Sequence, residues 1–286
     1  MNILSIQSWV TYGHVGNASA MFPLQRLGAE VWAINTVQFS NHPGYGAFTG
    51  SVFPPDCLRA LVDGVAARGA LRECDALLSG YVGDPGTGAV LLHAEALLRA
   101  ANPRALWACD PVIGDDGPGI YVRPGIAEFF TEQAVPRADV LTPNQFELGC
   151  LTGLPCHTLP LATAAIAALR ARMRAGGPRA VLVTSFRGEE TPDECLDLLA
   201  AGEDGLYRLR TPKLPIVANG AGDAIAALFL FHLLQSGQTR AALENAASTV
   251  HSLLRRTVEA GSRELLLIAA QNEYINPSSR FTAESL

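Results

Sequence analysis

The stretch VANGAGDAIAALFLF, from Val217 to Phe231, sets a carboxylate beside two glycines at the mouth of a strongly apolar run. If the run is a helix, the free N–H groups of Gly220, Ala221 and Gly222, with the positive end of the helix dipole, form an anion hole that needs no lysine. Asp223 then lies in the first turn. A carboxylate there can accept a proton from a substrate hydroxyl while the hole stabilises charge on a phosphoryl group in transit. The same residues also read as a loop-ending glycine followed by an aspartate that caps a helix.

Two further clusters carry acid groups. In ACDPVIGD an apolar segment delivers Asp110, followed by Asp115, and in TPNQFE the residues Asn144 and Glu147 stand three apart, on one face of a helix. Asp110 and Glu147 suit Mg²⁺, an ion that keeps much of its water and takes only one or two carboxylates. Taken singly, Asp110 before proline is an ordinary turn and Asn144 an ordinary N-cap.

These groups need a frame to bring them together. Short apolar runs ending in polar or small residues (NILSIQS, EVWAINTVQ, CDALLSG, RALWACDP, ADVLTPN, RAVLVTS) alternate with helically spaced segments (FPLQRLG, PDCLRALVDGVAARG, TGAVLLHAEALLRAAN, ATAAIAALRARMRAG). That alternation predicts βαβ units: a doubly wound, mostly parallel sheet with helices on both faces, in one α/β domain over 1–286. DECLDLLAA and EDGLYRLRT predict an antiparallel pair at the sheet edge. Helices are expected again from Ala221 through ELLLIAAQNEY, with an irregular tail NPSSRFTAESL. Ligands of such folds lie beyond the carboxyl ends of the strands. There the chain places Ser8, Asn35 to Tyr45, Gly80 to Asp84, Asp110 to Asp115, Thr142 to Glu147 and Thr184.

Composition narrows the partners. A formal net charge of -6, with no dense Lys/Arg cluster, argues against nucleic acid. Lys213 is the sole lysine, so no GxxxxGK[ST] phosphate loop can be built. The six cysteines are scattered without zinc spacing, and no apolar segment is long enough to span a bilayer, so a cytoplasmic protein acting on small molecules is expected. His14 and His42 lie in the site loops, whereas His232 and His251, on C-terminal helices, read as structural.

DPVIG, TPNQFE and GAGD, in this order, resemble the ribokinase-like superfamily. IQSWVTYGHVGNASAMFPLQRLGAEVWAINTVQFSNHPGYG followed by LSGYVGD is similar to its pyridoxal kinase branch, particularly the bacterial PdxY-type enzymes, and the similarity runs from about residue 2 to the end. The resemblance implies ATP-dependent phosphorylation of the 5′-hydroxymethyl group of pyridoxal, with Mg²⁺, by a homodimer. It implies Asp223 as the base and Ser8, Val15, Pro43, Gly44 and Tyr81 around the pyridine ring. On the ATP side it implies Asp110, Thr142, Asn144, Glu147 and Thr184, Asp115 and Tyr121 on a closing loop, and Thr211, Pro212, Lys213 and Leu214 beside the adenine. Three positions depart from the family pattern. Pro43 stands where a threonine contacts substrate, Ile120 where a lid cysteine occurs, and Thr184 where a lysine is common. Pro43 keeps a hydroxymethylpyrimidine or related heterocyclic-alcohol kinase open as an alternative. Pro43 and Thr184 together leave open a vitamer-binding protein of low activity.

Overall fold

The computed structural model describes every residue from Met1 to Leu286. Its first half contains β1 (Asn2–Val10), α1 (Asn17–Arg26), β2 (Glu30–Phe39), β3 (Gly50–Val52), α2 (Pro55–Ala67), β4 (Ala76–Ser79) and α3 (Thr87–Ala101). Next come β5 (Leu106–Cys109), the small hairpin β6 (Gly114–Asp115) and β7 (Gly119–Ile120), α4 (Ile126–Phe129), β8 (Val140–Leu141), α5 (Gln145–Thr152) and α6 (Leu159–Arg172). The chain closes with β9 (Ala180–Phe186), β10 (Cys195–Gly202), β11 (Gly205–Pro212), α7 (Ala221–Ser236), α8 (Thr239–Glu259) and β12 (Glu284–Ser285).

Ten strands form one sheet in the order β12-β11-β10-β9-β8-β5-β4-β1-β2-β3. The strands from β9 through β8, β5, β4 and β1 to β2 run parallel, while β3 at one side and β10 to β12 at the other are antiparallel. Alternation along each strand divides the core. In β9, Val181 and Val183 pack with α2 to α6, whereas Ala180 and Leu182 face α1, α7 and α8. Layers of helices therefore cover both faces, as the alternating runs predicted.

The apolar run after Asp223 becomes α7, which is buried continuously from Ala224 to Phe231 because α1 and α8 flank it and the sheet lies beneath. This all-round burial is why its sequence lacks a polar face. A helix so enclosed holds its first turn rigidly against the strand ends.

Two expectations fail at the C-terminus. ELLLIAAQNEY is not a helix: Leu265 and Leu267 are buried alternately, and the chain then turns into a short 3₁₀ segment at Gln271–Tyr274. The leucines fit either period, and side-chain ties decide the outcome. Thr257 Oγ1 accepts the Leu266 N–H at 3.2 Å, and Glu264 is drawn to the N-terminal loops. The tail is not irregular throughout, because Glu284 and Ser285 pair with Arg208 and Tyr207. The outermost strand at this side is therefore β12, not the β10/β11 hairpin.

Candidate active site

The start of α7 is fixed by its neighbours. Gly220 has φ 83°, and a Cβ there would stand 1.8 Å from the carbonyl oxygen of His14, so only glycine fits. Ser19 Oγ donates to the Gly220 carbonyl at 2.7 Å, tying α7 to the start of α1. Gly222 differs, since a Cβ there would meet no atom within 4 Å. The space in front of the helix N-terminus is open, as an anion hole requires. Asp223 makes no side-chain pair. Burial pushes its carboxyl up to about 6, opposed in part by the N–H groups of Gly16 and of Asp223 itself.

Across the cleft, β5 delivers Asp110 to the carboxyl edge of the sheet. Thr142 Oγ1 donates to Asp110 Oδ1 at 2.8 Å, and Oδ2 has no hydrogen-bond partner. Desolvation, then repulsion from Glu147 and from Asp223, holds this carboxyl well above the usual carboxylate range. Glu147 is differently employed. Its Oε2 accepts the Asn144 N–H at 2.9 Å and its Oε1 the Ile113 N–H at 2.9 Å, while Asn144 Oδ1 accepts the Glu147 N–H at 2.8 Å. This is a capping box at the start of α5 that also fastens the turn after Asp110. Burial raises Glu147 to about 7, against the pull of those amide donors.

Ser8 and Val15 are buried on the other side of Asp223. Gly16 is crowded so closely on Ser8 that a Cβ would lie 2.3 Å from the Ser8 carbonyl oxygen. Pro43 and Gly44 form an exposed 3₁₀ turn whose polar groups are already committed. Pro43 has no N–H, and the Gly44 N–H donates to His42 Nδ1 at 3.1 Å. Burial lowers the His42 pKa, keeping the ring neutral, against the attraction of Glu264. Tyr81 follows β4, half-buried, and its carbonyl accepts from Thr36.

A tie that the sequence does not signal joins these loops. Glu264 accepts the His14 N–H at 3.1 Å and the Tyr45 hydroxyl, and it lies directly beneath Gly13. Arg263 stacks over the Tyr45 ring, 3.8 Å from its centroid. Glu264 thus holds together the turn before α1 and the loop before β3, although 250 residues separate it from His14. A local pattern cannot reveal such a contact.

On the other side of the α7 N-terminus lies a pocket of about 160 Å³, walled mainly by apolar side chains of β10, α7 and α8. Thr184, Thr211, Pro212 and Leu214 line it, next to Ala221 and Gly222. Lys213 does not. Its side chain is exposed, and its backbone N–H is held by the Glu194 carbonyl at 2.7 Å. Asp115 and Tyr121 are exposed on and beside the β6/β7 hairpin; Ile120, 58% exposed, pairs with Gly114 at the base of that hairpin rather than at its turn. His251, read from the sequence as structural, also faces the pocket.

The strand ends therefore gather one unpaired carboxylate, a second with a single partner, an open helix N-terminus and an apolar pocket. A family model described as phosphomethylpyrimidine kinase matches residues 73–267, more than half of the chain. The chain is 61% identical over 284 residues to "Pyridoxal kinase PdxY" of Granulibacter bethesdensis, covering 99% of both chains. It is 52% identical to the protein of the same name from Deinococcus radiodurans, over 99% of this chain and 96% of the relative. Among solved structures, pyridoxal kinase from Leishmania donovani in complex with ADP and pyridoxamine superposes with a TM-score of 0.90 at 30% identity, covering 100% of this chain and 99% of that one.

Proposed function

Because the chain belongs to the family of PdxY-type pyridoxal kinases, we propose that it transfers the γ-phosphoryl group of ATP to the 5′-hydroxyl of pyridoxal, giving pyridoxal 5′-phosphate. The observation that carries this reading is the pairing of Asp223, unpaired and raised to about 6, with the open N-terminus of α7. A carboxylate with that affinity accepts a proton from an alcohol in the transition state, and near neutral pH it is already deprotonated. The N–H groups of Gly220 to Gly222 face the incoming phosphoryl oxygens and take up their charge. Ser8, Val15 and Tyr81 hold the pyridine ring. Chemistry of this kind is mostly positioning and electrostatics.

The pocket beyond Gly222 takes the nucleotide base, between Thr211, Pro212 and Leu214, with the β6/β7 hairpin carrying Asp115 and Tyr121 above the phosphates. Thr142 and Thr184 lie at the strand ends beneath them. No cluster of three acidic or His/Cys ligands is present. Mg²⁺ nevertheless fits, since that ion needs one or two carboxylates, and Asp110 presents an oxygen without a partner. When bound, the ion neutralises phosphate charge. Asp110 would hold it, and Glu147, whose oxygens are engaged by backbone amides, would add its charge from behind while keeping the turn in place. We place the enzyme in the cytoplasm, as a homodimer; light scattering at a defined concentration tests the latter.

The family model's description also names a pyrimidine kinase. That match omits residues 1–72, where Ser8, Val15 and Pro43 lie, so it leaves out most of the proposed vitamer contacts. A panel of pyridoxal, pyridoxamine, pyridoxine and hydroxymethylpyrimidine, with ADP release and product mass both measured, tests the choice. Pyridoxal is expected to be phosphorylated efficiently; turnover of the pyrimidine without turnover of pyridoxal would overturn the proposal. The same panel disposes of a non-catalytic vitamer carrier, which would bind pyridoxal and release no ADP.

A further inference from the structure

The chain from 43 to 50 is exposed at every residue except Tyr45. This loop closes its own neck: the Ser40 N–H donates to the Thr49 carbonyl at 2.8 Å, and Asn41 Nδ2 to the Ala47 carbonyl at 2.9 Å. Phe48 rests on Phe39 of β2, the strand from which the loop springs. Tyr45 reaches instead across to the far loops. Its hydroxyl donates to Glu264 Oε1, Arg263 covers a face of the ring, and Tyr12 meets it in a T-shaped contact with centroids 5.9 Å apart. The bond to Glu264 pushes the phenol up to about 12, so it remains a donor near neutral pH, and a carboxylate acceptor makes such a bond stronger than one between neutral groups. Glu264 is itself set by the turn after α8, where Ser262 Oγ accepts the Glu264 N–H at 3.2 Å and donates to its carbonyl at 2.7 Å. Its other oxygen, Oε2, takes the His14 N–H, and a Cβ on Gly13 would stand 2.5 Å from it.

We propose that Glu264 is a positioning residue for the vitamer: by latching Tyr45 it holds Pro43 and Gly44 beside the turn that carries Val15, and so sets the affinity for the pyridine substrate without touching the reacting atoms. The inference rests on the placement of the ring by Ser8, Val15 and Tyr81 under the proposed function. An exposed loop held at few points belongs to the low-stability end of a fold. With the latch cut, the loop spends part of its time displaced, and apparent affinity falls by the fraction that stays in place. The chemistry is spared because its groups are held by other means. Gly16 bridges to Trp9 of β1, Ser19 ties Gly220, and α7 is buried behind Asp223. None of these ties passes through Glu264.

The test measures KM for pyridoxal, KM for ATP and kcat in the wild type, E264A, E264Q, Y45F and the double variant E264A/Y45F, each alongside a melting curve. E264A and Y45F are expected to raise KM for pyridoxal by about tenfold or more, the scale of one hydrogen bond to a charged group, with kcat within about threefold of wild type and KM for ATP unchanged. The double variant adds less than about threefold to the worse single one, because both cut the same latch. E264Q restores KM for pyridoxal to within about threefold of wild type, since its amide oxygen accepts the His14 N–H and its amide nitrogen donates to the Tyr45 oxygen. Y45F alters only an exposed loop, so it reports even if E264A unfolds. The proposal is overturned if Y45F binds pyridoxal as the wild type does, if KM for ATP rises in parallel, if the two single effects multiply in the double variant, or if E264Q is as poor as E264A. Absence of ADP release with pyridoxal in the wild type would instead overturn the kinase reading, and this proposal with it.

Discussion

The two edges of the central sheet treat buried carboxylates in opposite ways. At the amino end of β8, Asp139 is fully buried and saturated: Arg174 donates to Oδ1 at 2.6 Å, while Oδ2 accepts from Arg99 at 2.7 Å and from the Trp107 N–H at 2.8 Å. At the carboxyl end of β5, Asp110 receives one hydroxyl, and Asp223 behind it pairs with no side chain. No arginine is spent on either. Under the proposed function, a charge that serves the fold is neutralised within the chain, whereas a charge that serves a ligand is left for the ligand to complete. Elevated proton affinity at Asp110, Glu147 and Asp223 is the physical mark of that omission.

Matched substitutions break or sharpen this contrast. The largest effect on stability is expected at the amino edge. Asp139→Asn leaves Arg99 and Arg174 without a counter-charge and lowers unfolding free energy by about 3–5 kcal/mol, measured by urea denaturation. Turnover of the molecules that remain folded stays near wild type. Asp110→Asn should do the reverse, reducing kcat/KM for ATP by about one to two orders of magnitude and raising the Mg²⁺ concentration needed, with stability equal to or above wild type.

Glycine substitutions give a smaller, sharper version of the contrast. Gly220→Ala collides with the His14 carbonyl and strains a left-handed residue, so it lowers the melting temperature; Gly222→Ala meets open space and leaves melting nearly unchanged while lowering kcat. The smallest effect is the pH dependence of the ligand-free protein. Carboxyls whose pKa is raised on folding bind protons more tightly in the native state, so their contribution falls as pH rises from the ordinary carboxylate range through about 6 to 7. Asp223→Asn removes its share. Relative to wild type, the variant should gain melting temperature at pH 8 and gain nothing at pH 4.

Much of this was readable before any coordinates. The sheet announced itself in short apolar runs ending in polar residues, because a parallel strand buried on both faces has nowhere to put polar side chains. Asp110 and Asp223 were legible because strand ends and helix starts in this architecture fall where ligands bind. Asn144 and Glu147 were visible as a pair, but the pattern cannot say whether the glutamate faces an ion or its own backbone; the structure shows its oxygens on the amides of Asn144 and Ile113. Glu264 was invisible because its partners are distant in the chain. The same tie pulls the segment after α8 away from the helix its leucines suggested. His251 was legible as inward-facing from its helical spacing, and only the structure shows that a pocket lies beside it.

The central claim is that Asp223 is held unpaired in order to take the hydroxyl proton. Steady-state turnover of pyridoxal by Asp223→Asn, at saturating ATP and Mg²⁺ and alongside a melting curve, tests it most directly. The account predicts kcat lower by about 10²- to 10⁴-fold in a protein at least as stable as wild type at pH 8. Wild-type turnover in that folded variant would contradict it.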